Sequence, residues 1–128
     1  MEQPVISFEG YEIKKYHYDK KDETTDVLKD PFTISVKTGM TDELDAGIVT
    51  ANVIYETEEI TVDIIVAGFF KIIEKNEKAV ISNYLAVNGT AMLFPYIRSM
   101  ISMLTSLDSE KAIMLPTINT TNLLKSVD

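Results

Sequence analysis

Leu93-Phe94-Pro95-Tyr96-Ile97-Arg98 decides the reading of this chain, because it opens an apolar stretch in which Arg98 is the only charge between Lys78 and Asp108. Proline at a first helical turn costs nothing, since its missing N–H would have no partner there, so Pro95 reads as a helix start. Downstream, Phe94, Ile97, Ile101 and Leu104 form one stripe at helical spacing, and Tyr96, Met100, Met103 and Leu107 form a second. The positions between them carry Ser99, Ser102, Thr105 and Ser106 rather than Lys or Glu. A helix with two apolar stripes needs cover on more than one side, so this one is expected to lie clamped between layers.

Upstream of the helix the period changes from helical to alternating. Phe32, Ile34 and Val36 alternate with Thr33, Ser35 and Lys37, the mark of a half-buried strand. Gly39 to Gly47 then turns the chain. Ile48 to Tyr55 and Ile60 to Ile73 are β-branched runs joined by the short acidic link Glu56 to Glu59, and they read as a hairpin of central strands. On the second run Ile60, Val62, Ile64 and Val66 share one face, while Asp63 is a polar tip on the other. Tyr11 to Tyr18 is a further strand in which Tyr11 and Ile13 have one parity and Tyr16 and Tyr18 the other. Either both faces are covered there or a bulge switches them. Residues 1 to 10 read as a loosely held leader before a single domain over 11 to 128, and Asp19 to Asp30 as a loop. Asn76 resembles a cap for a short helix that Asn88-Gly89 stops before the long one begins. After Asp108, Ala112 to Leu115 is expected to be extended, with a last turn carrying Leu123 and Leu124.

With 128 residues, the chain has the length of one domain and can bury a core without staples. Twenty acidic against twelve basic residues give a net charge of −8, which disfavours nucleic acid as a partner. The absence of cysteine removes disulfides, thiolate nucleophiles and thiolate metal sites. Met1-Glu2-Gln3-Pro4 has no basic region leading into an apolar core, and no apolar run approaches spanning length, so a cytoplasmic protein without membrane insertion is expected. The sole histidine, His17, reads as a surface strand residue rather than a metal ligand. Glu58-Glu59 reads as solvated turn charge. No phosphate loop, nucleophile elbow, metal cluster or cofactor motif is present, and catalysis is not expected.

Taken in order, these elements resemble the SecB family of bacterial protein-export chaperones. Leu93-Phe94-Pro95-Tyr96-x-Arg98 is similar to the family's helix-opening segment in residue type and spacing, and Gly68-Phe69-Phe70-x-Ile72 to its Gly-apolar-Phe-x-Ile. Tyr11-x-Ile13-x-Lys15 is similar to the first strand, Phe32-x-Ile34-x-Val36 to the second, and Leu115-Pro116 through Asn119 to Leu123 to the closing segment. The resemblance implies an α+β subunit, a four-stranded antiparallel sheet with a long and a short helix on one face, assembled as a homotetramer, a dimer of dimers joined through the long helix. The interface would then include Tyr96, Ile97, Met100, Ile101, Met103 and Leu104.

The same resemblance implies a holdase that works without ATP or cofactor, keeps unfolded or precursor polypeptides export-competent and passes them to the SecA motor. Its client grooves would match Phe32, Ile34 and Val36, with Leu123 and Leu124 from the closing segment, and Asp63 would match an acidic motor contact. Where the family places acids after the first strand, Asp19-Lys20-Lys21-Asp22 interleaves lysines. A SecB-like chaperone guarding an antitoxin or another specific client without the motor is the near alternative. A small-molecule-binding or enzymatic α+β domain with a closed, polar-lined cavity is the distant one.

Overall fold

A computed structural model describes residues 4–21 and 32–108. Four strands, β1 (Ile6–Lys20), β2 (Phe32–Met40), β3 (Ala46–Glu56) and β4 (Ile60–Ile72), form an antiparallel sheet in the order β1-β4-β3-β2. Helix α1 (Lys78–Tyr84), a π-helical turn (Leu85–Gly89) and helix α2 (Thr90–Asp108) follow as one uninterrupted helical run. The expected α+β class and sheet are therefore present. In place of two separate helices there is a single joined one.

Opposite residues in an antiparallel pair project to the same face, so the ladders define the core. Ile64, Val66 and Gly68 of β4 pair with Val53, Ala51 and Val49 of β3, and all are buried beneath the helix. Leu85, Leu93, Ile97 and Ile101 come down onto this face from the helical run. The first stripe read from the sequence is thus the core stripe.

Short loops fix the register. Between β3 and β4, the Thr57 N–H donates to the Ile60 carbonyl at 2.9 Å, and the Thr57 hydroxyl accepts from the N–H groups of Glu59 and Ile60 at 3.2 and 3.1 Å. Between β2 and β3 the turn is tighter than the glycines suggest, because the strands continue to Met40 and resume at Ala46. The Thr41 hydroxyl accepts from the N–H groups of Asp45 and Ala46, both at 3.2 Å.

Three sequence expectations are corrected. β1 begins at Ile6, so the second half of the expected leader, Ile6 to Gly10, is strand. Pro95 lies inside α2 rather than at its start. The carbonyl that a proline at 95 leaves without its helical N–H belongs to Ala91, an exposed residue where water can serve. Asn88-Gly89 does not end a helix either. Gly89 is buried, and a Cβ there would stand 2.9 Å from Cγ2 of Val49, so this glycine lets the π-helical turn approach the sheet.

Candidate functional site

The parity conflict in β1 is resolved by two bulges. Phe8 pairs with Phe70 and Gly10 with Phe69, which leaves Glu9 extra, and Ile13 pairs with Val66 while Lys15 pairs with Ile65, which leaves Lys14 extra. Each extra residue flips the alternation once. As a result Ile6, Phe8, Tyr11, Ile13, Tyr16 and Tyr18 all project to the face that carries the helix.

Helix α2 covers the middle of that face and stops short of β1, which leaves an apolar groove of about 300 Å³ along its flank. Tyr11, Ile13 and Tyr16 form the strand wall, and Tyr96, Ser99, Met100 and Met103 form the helix wall. At one end Tyr96 lies between two rings, with its centroid 5.5 Å from that of Phe8 and 4.9 Å from that of Tyr11. Further along, the Tyr16 hydroxyl donates to the Met100 carbonyl at 3.0 Å, and burial raises its pKa above the usual phenol value. The other side chains offer rings, branched carbons and thioethers. Tyr11, Ile13 and Tyr96 are between 41% and 46% exposed and Met103 is 65% exposed, so the groove is open to a partner. Such a surface suits apolar side chains of varied shape.

The residues singled out from sequence are distributed differently. Ile34 and Val36 are buried in the core, which corrects the expectation that they face an open groove, because β2 turns that face under the helix. Phe32 is half-buried at its rim, with its ring edge-on to Phe94 at 6.0 Å. Leu123 and Leu124 lie outside the described residues. Of the expected interface, Ile97 and Ile101 are buried against their own sheet and belong to the core. Tyr96 and Met103 face outward, with Met100 and Leu104 half-buried.

Asp63 stands on the opposite, helix-free face. Its Oδ2 accepts from Lys15 Nζ at 2.8 Å, while its buried Oδ1 has no partner among the described residues. His17, directly across from Asp63, places Nε2 at 2.6 Å from Asp19 Oδ2. Among the described residues no three His, Cys, Asp or Glu side chains gather where they could hold a metal ion. Nor is any described helix long and apolar enough to cross a membrane. Tyr11, Ile13 and Tyr16 are the groove residues hardest to read from sequence, since only the parity switch within β1 points to them, and Ser99 on α2 carries no sequence signal beyond lying between the two apolar stripes.

A family model described as preprotein translocase subunit SecB matches residues 21–127. Among solved structures, the fold is similar to a SecB-like chaperone of Mycobacterium tuberculosis in complex with a ChAD peptide from the HigA1 antitoxin. The TM-score is 0.73 with 14% identity, over 89% of this chain and 90% of that one. It is also similar to a Streptococcus agalactiae protein of unknown function, with a TM-score of 0.61 and 16% identity, over 88% of this chain and 97% of that one. An uncharacterised protein of Methanocaldococcus jannaschii is 33% identical over 61 residues, which is 48% of this chain and 39% of the relative's length.

Proposed function

The chain belongs to the SecB family, and on that premise we propose that it is an ATP-independent chaperone that holds unfolded polypeptides by their apolar and aromatic side chains. The observation that carries this reading is the open groove between β1 and α2, whose walls present Tyr11, Ile13, Tyr16, Tyr96, Met100 and Met103. Open apolar surface of this kind is costly to leave unused and serves polypeptide contact better than small-molecule chemistry, which wants an enclosed site with placed polar groups. Phe32, beside Phe94 on the other side of the helical run, is a second contact in this proposal, and Leu123 and Leu124, outside the described residues, are further contacts in it.

Assembly belongs to the same proposal. The outward ridge of α2 carries Ala91, Met92 and Pro95 and continues into Tyr96, Ser99 and Met103, which also wall the groove, and these positions are exposed and uncharged. Small residues let helices approach closely, so the ridge suits contact between copies in a homotetramer. Several grooves on one body would then accumulate weak contacts into useful affinity.

Two destinations for the client remain distinct. In the export reading, which places the protein in the cytoplasm, Asp63 on the open sheet face contacts the SecA motor. In the dedicated reading the client is a specific protein such as an antitoxin, as in the Mycobacterium tuberculosis complex. Native mass measurement with and without a reduced, unfolded client tests the shared core of both. A tetramer that takes up client and suppresses its aggregation without nucleotide is expected. A monomer that takes up none would overturn the proposal.

A further inference from the structure

The chain has six methionines and no cysteine, so its oxidisable sulfur is all thioether. The described methionines differ in exposure. Met40 and Met100 are half-buried, Met92 is 37% exposed, and Met103 at 65% is the most exposed large apolar side chain among the described residues. Oxidation of a thioether follows its exposure, so Met103 should react before the other three. It also belongs to the helix wall of the groove, one turn beyond Ser99 and Met100 and in the same cleft as Tyr11, Ile13 and Tyr16.

The surroundings of Met103 decide what its oxidation does. A thioether is apolar and adapts to the shape laid against it, whereas a sulfoxide is polar and carries an acceptor oxygen. The hydroxyls one helical turn before and after it are already committed, since Ser99 Oγ donates to the Pro95 carbonyl at 3.1 Å and Ser106 Oγ to the Met103 carbonyl at 2.7 Å. On the strand wall the Tyr16 hydroxyl donates to the Met100 carbonyl at 3.0 Å. None of these three can turn to a new oxygen without giving up a main-chain bond, so that oxygen is left to water. An apolar client side chain laid over it strips the water away and leaves a polar group unpaired. Because Met103 is mostly exposed in the folded subunit, the cost falls on client binding rather than on folding.

We propose that Met103 makes the groove redox-sensitive: oxidation of its thioether by hydrogen peroxide weakens client holding, and reduction of the sulfoxide restores it. The proposal rests on the holdase reading and adds regulation to the same groove. In the forward step a sulfur lone pair attacks one peroxide oxygen and the O–O bond breaks. The departing hydroxide takes the hydrogen left on the transferred oxygen and becomes water, so the sulfur loses two electrons and the peroxide gains them. In the reverse step a sulfoxide reductase draws on a dithiol; the sulfoxide oxygen leaves as water and the dithiol closes to a disulfide.

The test uses the full chain in its native assembly, treated with hydrogen peroxide that is then removed by gel filtration. Added oxygen is mapped by peptide mass, and thermal unfolding and suppression of the aggregation of reduced, unfolded lysozyme are measured on the same samples. Sulfoxide is expected at Met103 before Met40 and Met100, with the melting temperature little changed. About tenfold more protein should then be needed for the same suppression, as an unpaired polar group in an apolar contact implies. Purified methionine sulfoxide reductases for both epimers, with dithiothreitol, should restore suppression. Met103→Leu, which cannot be oxidised at this position, is compared only with its own untreated form and should keep its holding through the peroxide. A Met103 that stays reduced in the assembly, full oxidation there with suppression unchanged, an equal loss in Met103→Leu, a melting temperature that falls along with holding, or no recovery on reduction would each overturn this proposal alone. An untreated parent chain that holds no client sinks the holdase reading, and this proposal with it.

Discussion

The Tyr16 hydroxyl donates a hydrogen bond of 3.0 Å to the main-chain carbonyl of Met100, and so ties the edge strand β1 to the middle of helix α2. Without this strap the two walls, one on a sheet edge and one on a helix, would be held at one end only, where Tyr96 packs between Phe8 and Tyr11. The bond exists because Lys14 is bulged out of the ladder, which turns Tyr16 toward the helix. Groove geometry therefore depends on a phenol proton.

That dependence gives a pH signature. Burial raises the Tyr16 pKa above its ordinary value of 10.0, so the folded state holds this proton more tightly than the unfolded chain does. The resulting stabilisation is complete below the unfolded pKa and is lost as pH rises through the folded value. Urea unfolding of the parent chain should weaken more than that of Tyr16→Phe on going from about pH 8 to above pH 10. At about pH 8 the variant should be less stable by roughly 1 kcal/mol, the net contribution of one hydrogen bond. Parallel pH profiles for the two proteins would show that the strap does not act this way.

Gly89 offers a prediction whose sign is opposite to the one propensity gives. Alanine in place of a helical glycine ordinarily adds about 1 kcal/mol of stability. Here the added Cβ would stand 2.9 Å from the stiff side chain of buried Val49 and 3.3 Å from the Phe70 ring. Gly89→Ala should therefore lower stability, by about 1–3 kcal/mol as overpacked cores do. A raised melting temperature would mean that the π-helical turn has room to move away from the sheet.

Two substitutions on α2 separate core from contact surface. Ile101 is fully buried on the sheet-facing side of α2, so Ile101→Ala should cost about 2–5 kcal/mol of folding stability. Met103 is 65% exposed, so Met103→Glu should leave the folded subunit intact. If the ridge joins copies, the same change buries an unpaired charge and should split the assembly. Sedimentation and thermal unfolding on the same samples check both halves, and an unchanged oligomer with Met103→Glu removes the ridge from the interface.

Asp63 is tested on the opposite face. Asp63→Lys places a cation beside Lys15, in place of the 2.8 Å ion pair seen now. A modest loss of stability, about 1 kcal/mol, is expected, since the Lys15 side chain is 48% exposed although that of Asp63 is only 22% exposed. In the export reading the change also weakens binding to SecA, measured by titration with the purified motor. Unchanged motor affinity would leave Asp63 as surface charge and favour the dedicated-client reading.

Much of the fold was legible because burial writes period into sequence. The alternation in Phe32 to Val36 and Ile60 to Val66, and the helical spacing of Phe94, Ile97, Ile101 and Leu104, each identified an element and its inner face. The groove was less legible because it depends on pairing partners. Only beside β4 does Lys14 become an extra residue, and only then do Tyr11, Ile13 and Tyr16 share a face. Pro95 and Gly89 misled for a related reason. Each has a common local meaning, helix start and helix stop, which tertiary packing overrode. Ile34 and Val36 showed the limit of alternation, which separates the two faces of a strand without saying whether the apolar one meets a core or a client.

The last prediction reads that difference directly. Ile34 and Val36 are each 9% exposed within the core cluster, whereas Ile13 on the groove wall is 46% exposed. Ile34→Ser should therefore lower folding stability by about 2–4 kcal/mol, while the fraction that stays folded still suppresses client aggregation. Ile13→Ser should do the reverse, moving the melting temperature little and weakening suppression, because an exposed side chain gains little from folding and more from the client that covers it. Tyr11→Ser should behave like Ile13→Ser, and the double variant should lose less than the sum of the two if both residues line one site. Stability and suppression must come from the same preparations, since unfolded variant can itself aggregate with the client. Normal suppression by folded Ile13→Ser would remove the β1 wall from the holding surface and return the search to Phe32 on the other flank.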